Sequence, residues 1–183
     1  MDRIQALNEL KVRLSDKSLI KHSLAVEAVM RELAAVFKGD IEKWGLVGLL
    51  HDIDHDLIDG DPLKRGIVGA EILENLGVDE AVIYSIKANN DYNGILRKRK
   101  MDKSLHAADP LSRLIAASAL MLPSKKFEDV TVKFILDKFN ERDFEKDADR
   151  DQINSCVEIG MSLEQFIEIV LSAMKKIAGD LEL

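Results

Sequence analysis

Apolar residues recur at three- and four-residue spacing along almost the whole 183-residue chain. That period turns one face of a helix inward, so the chain reads as helix after helix. The pattern predicts helices over about 2–14, 17–38, 40–53, 62–76, 79–90, 104–121, 129–140, 149–159 and 162–180. Several starts have a local chemical reason. Asp61 offers an N-cap acceptor ahead of Pro62, whose fixed φ suits a first helical turn. Ser162 and Gln165 have the spacing of a capping box. Gly39, Gly60 and Gly77 stand where chains leave helices. Residues 54–61 and 91–103 lack the helical period. Each follows a helix that ends in polar residues, which makes both candidates to line a pocket. The expected fold is therefore all-α, a bundle of eight or nine helices.

Composition narrows the class. The length suits one domain over residues 1–183. Cys156 is the single cysteine, so no intrachain disulfide or Cys-rich metal site can form, and a reducing interior is expected. The N-terminal segment MDRIQALNELKVRL alternates charged and apolar residues, unlike a signal peptide. No run of about eighteen apolar residues appears, so no membrane span is expected and the predicted location is cytoplasmic. The net charge is −7, with 33 acidic against 26 basic residues. This argues against a dedicated nucleic-acid binder. It leaves room for a small phosphorylated or nucleotide substrate, which needs only a local cluster of cations or a metal.

A few polar residues break the apolar pattern. Val26, Val29, Leu33 and Phe37 follow His22 at steps that keep one face inward, so His22 is expected on a buried face. Alone it would read as a core histidine with one partner. The segment GLVGLLHD adds weight, because its apolar run stops at His51 beside Asp52, and buried polar groups are costly unless paired or ligated. Gly45 and Gly48 would allow this helix to pack closely. Asp109 lies in HAADPLSRLIAASALM, a small and apolar helix. It precedes Pro110, so it reads equally well as an N-cap or as a ligand, and one aspartate can do both. Two imidazoles and two carboxylates suit one divalent ion such as Mn, Fe, Co, Ni, Zn or Mg. Four protein ligands leave two octahedral positions, for a water and a phosphoryl oxygen.

His22, then His51-Asp52, then Asp109, each on a separate helix, resembles the HD superfamily of metal-dependent phosphohydrolases. The context LIKHSLAVEAVM, GLVGLLHDID, GAEILENLGV, IKANNDYNG and LHAADPLSRLIAA is similar to the small stand-alone bacterial HD proteins. By motif the resemblance covers roughly residues 17–122, with a helical buttress over about 127–183. It implies a hydrolase of a small phosphate ester or nucleotide, with His22, His51, Asp52 and Asp109 as metal ligands. It also implies that two-metal relatives carry histidines where this chain has Arg65 and Asn89 or Asn90. Arginine cannot ligate a cation, so a single metal is expected. Arg65 would then grip a substrate phosphate, although a surface arginine at a helix start is its simpler reading. The same two positions also feed an alternative, a degenerate HD domain that binds a nucleotide or metal as a non-catalytic sensor or scaffold. A purely structural bundle is a third.

Weaker signals surround this set. Asp54, His55 and Asp56 are candidates for the pocket rim. Asp56 is a candidate for proton transfer with the attacking water, and His55, with Asn89 and Arg65, for substrate contact. A solvated acidic loop is the plain alternative for each. His106, three residues before Asp109, is a candidate to support the ligands. The run Arg97-Lys98-Arg99-Lys100 is either a solvated loop or a flexible lid for an anionic substrate. The helices from Val130 to Ala178 show no chemistry and would buttress the fold or supply a homodimer face.

Overall fold

A computed structural model describes residues 1–182. It is all-α, with no strand among the described residues. The helices are α1 (Arg3–Arg13), α2 (Lys17–Phe37), α3 (Ile41–Leu50), α4 (Ile67–Asn75) and α5 (Glu80–Asn89), followed by α6 (Lys100–Met121), α7 (Val132–Asn140), α8 (Arg150–Asn154), α9 (Leu163–Lys176) and α10 (Ala178–Leu181). The count exceeds nine because the last predicted helix breaks at Ile177 into α9 and α10. No helix among the described residues is long and apolar enough to cross a membrane.

Most starts follow the sequence. Asp2 with Gln5 and Ser162 with Gln165 form capping boxes, and Asp16, Asp40 and Asp79 accept from first-turn amides. Each such acceptor satisfies an N–H that the helix cannot. Gly48 sets how closely α3 lies on α2. A Cβ there would stand 2.6 Å from the Val26 carbonyl oxygen and 2.8 Å from Glu27 Cα, so any larger residue would force the two backbones apart. At Gly45 the neighbour is only the flexible Arg31 side chain.

The fourth helix starts later than its pattern predicts. Asp61 accepts from Leu63 N at 3.0 Å, making a turn around Pro62 instead of a cap. The chain then passes through Gly66 at φ 79°, where a Cβ would meet the Ile86 carbonyl at 3.0 Å. Only glycine takes that φ without strain, and α4 begins one residue on.

The sixth helix starts earlier. Asp102 is buried and accepts from the amides of Lys98 and Arg99, from Ser85 Oγ and from the Arg99 guanidinium. That network ends the 91–103 loop at Lys100. Arg97 donates to Ala88 O and Arg99 to Ala81 O, while Lys100 Nζ donates to Ile159 O. The basic run is thus an anchored strap on α5 and α6, not a free lid.

α6 lies at the centre, packed on α2, α5, α7, α8 and α9. Its Leu105, Leu111 and Leu114 are fully buried, each worth roughly 1.5–3 kcal/mol of transfer from water. Pro110 sits inside it and has no N–H to bond the carbonyl of His106. Gln152 Nε2, from α8, donates to that carbonyl at 2.8 Å instead. The helix runs on through the proline, so Asp109 is an interior residue. This excludes the N-cap reading of Asp109.

Candidate metal centre

Three elements meet at the middle of α6. His22 comes from the first turns of α2, His51 and Asp52 from the end of α3, and Asp109 from α6. Ligand atoms of His22, His51 and Asp52 all lie within 4.8 Å of one another. Asp109 Oδ1 stands 2.9 Å from His22 Nε2 and 3.6 Å from His51 Nε2. The two imidazoles meet edge-on, with centroids 5.2 Å apart. The set expected from the sequence is brought together.

The tautomer of His51 follows from one contact. Its Nδ1 lies 2.8 Å from the Gly48 carbonyl oxygen, which only accepts, so Nδ1 carries a proton and donates. Nε2 then points into the cluster. It is buried and has no hydrogen-bond partner. Asp52 Oδ2 is 3.3 Å away and Asp109 Oδ1 3.6 Å, but neither meets hydrogen-bond geometry. Burial opposes charging His51, yet Asp52 and Asp109 outweigh it and raise its pKa to about 10. For His22 burial wins over the Asp109 hydrogen bond, and the pKa falls. Burial likewise opposes the charge on Asp52 and Asp109, but His51 and the neighbouring guanidiniums hold both carboxyls well below the usual range. The residues present fit a divalent cation: anionic oxygens, imidazole nitrogens, and one buried imidazole nitrogen without a hydrogen-bond partner, whose proton an ion would displace.

Two arginines close the cluster. Arg65 Nη2 donates to Asp52 Oδ1 at 2.8 Å and to Asp109 Oδ2 at 3.1 Å. Arg113 Nη2 donates to Asp52 Oδ2 at 2.8 Å, and its Nε lies 3.4 Å from Asp109 Oδ1. The surface reading of Arg65 does not hold. Sequence reasoning missed Arg113 altogether, although its place four residues after Asp109 puts it on the same helical face.

The loop carrying Arg65 is fixed from both sides. Asp54 Oδ2 accepts from Gly66 N at 2.7 Å and Gly69 N at 2.8 Å. Asn90 Nδ2 and Asn93 Nδ2 donate to the Arg65 carbonyl at 3.0 and 3.1 Å. Asp54 is therefore a buried support, not a rim residue, and burial raises its pKa. Asn89 Nδ2 donates to Asp109 Oδ2 at 3.2 Å, and its own carbonyl faces His106 Nδ1 at 3.1 Å. His106 thus supports Asn89, which supports Asp109. Where the resemblance places a second metal, the donors Arg65 and Asn89 converge on Asp109 Oδ2.

His55 and Asp56 are not brought to the cluster. Asp56 Oδ2 accepts from Ser15 N at 2.8 Å and Ser15 Oγ at 2.7 Å. These bonds lower its pKa and commit the carboxylate to the α1–α2 connection. His55 is exposed beside it. The chain leaves α3 in a turn that carries both outward, away from the cluster where Asp56 was expected to relay protons and His55 to meet substrate.

The model of the HD domain matches residues 19–119. The chain belongs to the HD domain family, whose members are in general metal-dependent phosphohydrolases. An uncharacterized protein of Methanocaldococcus jannaschii is 34% identical over 147 residues, which cover 73% of this chain and 85% of that protein. Ribonuclease Y of Nitratidesulfovibrio vulgaris is 34% identical over 95 residues, 49% of this chain. Ribonuclease Y of Lawsonia intracellularis is 31% identical over 96 residues. The match spans only 18% of either ribonuclease. No solved structure matches.

Proposed function

We infer that the chain hydrolyses a small phosphate ester or nucleotide with the help of a single divalent ion held by His22, His51, Asp52 and Asp109. The observation that carries this reading is the orphaned, buried Nε2 of His51, aimed into a cluster of carboxylates that two arginines flank. A bound ion would supply a water of lowered pKa and a Lewis-acid hold on a phosphoryl oxygen. Arg65 and Arg113 balance the charges of Asp52 and Asp109, so the ion's own charge is left over to attract a phosphate dianion. Arg65 and Arg113 orient the two carboxylates, and each keeps Nη1 without a hydrogen-bond partner among the described residues. Those groups suit charge-assisted bonds to phosphate oxygens. Asn89 holds Asp109 in place.

The likeness to ribonuclease Y brings RNA to mind as a substrate. The acidic net charge of −7 and the anchoring of the one dense basic run favour a small molecule instead. Binding without turnover, as in a sensor, is favoured only by Arg65 and Asn89 standing where relatives carry ligands. An assay of p-nitrophenyl phosphate hydrolysis with manganese, beside Asp52→Ala, separates the readings. Metal-dependent release of phosphate that disappears in the variant is expected. Absent turnover with intact metal binding would favour the sensor.

A further inference from the structure

A cavity of about 480 Å³ opens directly beside the metal cluster, between α2, α6, α9 and α10. His22 and Arg113 line one end of it, and both also touch the carboxylates, His22 at Asp109 and Arg113 at Asp52. The cavity and the cluster therefore share a wall. Phe127 and Met174, both fully buried, lie in the floor, with Ala25 and Ala116 on the helical walls. Ser112 is the polar residue at depth, and its hydroxyl hydrogen is committed to Ala108 O at 2.8 Å. Lys21 and Glu182 pair with each other on the solvent side. The volume falls within the range usual for small-molecule sites.

We propose that this cavity receives the organic half of the substrate, and that the half it takes is an apolar group poor in hydrogen-bonding atoms. The assignment rests on the phosphohydrolase reading above. The ester's phosphate would sit at the shared wall, where Arg113 Nη1 faces it. The buried end offers no free donor, so a sugar hydroxyl placed there would lose its water partners without replacement. An apolar group placed there instead meets apolar walls, Ala25, Ala116 and Leu181 among them, and its own removal from water is favourable. On hydrolysis the P–O bond breaks, water supplies the oxygen to phosphorus, and the alcohol leaves protonated from the same cavity.

The test compares phenylphosphonate with methylphosphonate, neither of which can be hydrolysed, by calorimetric titration of the manganese-loaded protein. Phenylphosphonate is expected to bind at least about tenfold more tightly, since burying a ring is worth that much or more. Ala116→Phe, which fills the cavity, is expected to reduce that preference to within about twofold. Leu120 lines the cavity and is exposed, so Leu120→Asp tests the same wall without disturbing the core and is expected to reduce the preference too. Equal affinities in the wild type, or a preference that survives both substitutions, would overturn the assignment. If the two phosphonates bind alike while phosphate esters are still hydrolysed, only the cavity assignment falls. If neither phosphonate binds and no ester is hydrolysed, the phosphohydrolase reading falls with it.

Discussion

Arg150 and the pair Arg65 and Arg113 solve the same problem, a guanidinium largely out of water, in opposite ways. Arg150, at the start of α8, is 6% exposed and meets no carboxylate. Its nitrogens donate to the carbonyls of Phe139, Phe144, Glu145 and Ala148, closing the loop between α7 and α8 around it. Every strong contact is to backbone, and nothing is left for a ligand. The side chains of Arg65 and Arg113 are 37% and 29% exposed and hold two buried carboxylates. They leave one nitrogen each unused, beside an imidazole nitrogen with no partner. A saturated buried ion is architecture, whereas an under-satisfied cluster points to a ligand.

The largest expected effect concerns the proton that stands where the ion would bind. The pKa of His51 is raised from its ordinary value near 6.5 to about 10. In the metal-free protein this protonation contributes stability that is fully present below about pH 6.5 and lost as pH rises towards 10. An ion must displace that proton, so its apparent affinity should rise about tenfold per pH unit, or about 100-fold from pH 7 to pH 9. Calorimetric titration with manganese at the two pH values measures this, and a flat affinity would count against His51 as a ligand.

Next comes Arg150→Met. It strands several buried carbonyls at once and should cost about 3 kcal/mol in urea unfolding, with manganese affinity unchanged. Loss of metal binding at wild-type stability would reverse the contrast between the two regions. Arg65→Ala should weaken phosphate binding by roughly 1.5–3 kcal/mol, and Arg65→Lys by less, because lysine keeps the charge but not the fork. Metal content should survive both changes. The smallest effect is Gln152→Leu, which leaves the His106 carbonyl unpaired below Pro110 and should cost about 1–2 kcal/mol in thermal unfolding.

Much of this was legible in the sequence because period and burial are local properties. The inward face of α2 placed His22, and the abrupt end of GLVGLLHD placed His51 and Asp52. What was not legible depended on partners far along the chain. Arg113 looked like any helical arginine until folding brought Asp52 to it, 61 residues away in sequence. Asp54 read as a rim residue because nothing local shows that the amides of Gly66 and Gly69 fold back onto it. Asp109 before Pro110 resembled a cap, since the sequence does not reveal that Gln152 supplies the donor that lets the helix continue through the proline.

The central claim is that His22, His51, Asp52 and Asp109 form one divalent-metal site. The most direct measurement is manganese titration of the wild-type protein beside Asp52→Ala, with circular dichroism on both. One ion per wild-type chain is expected, with affinity lower by at least about 100-fold in the variant at unchanged helicity. Equal binding by the two proteins, or no binding by the wild type, would contradict it.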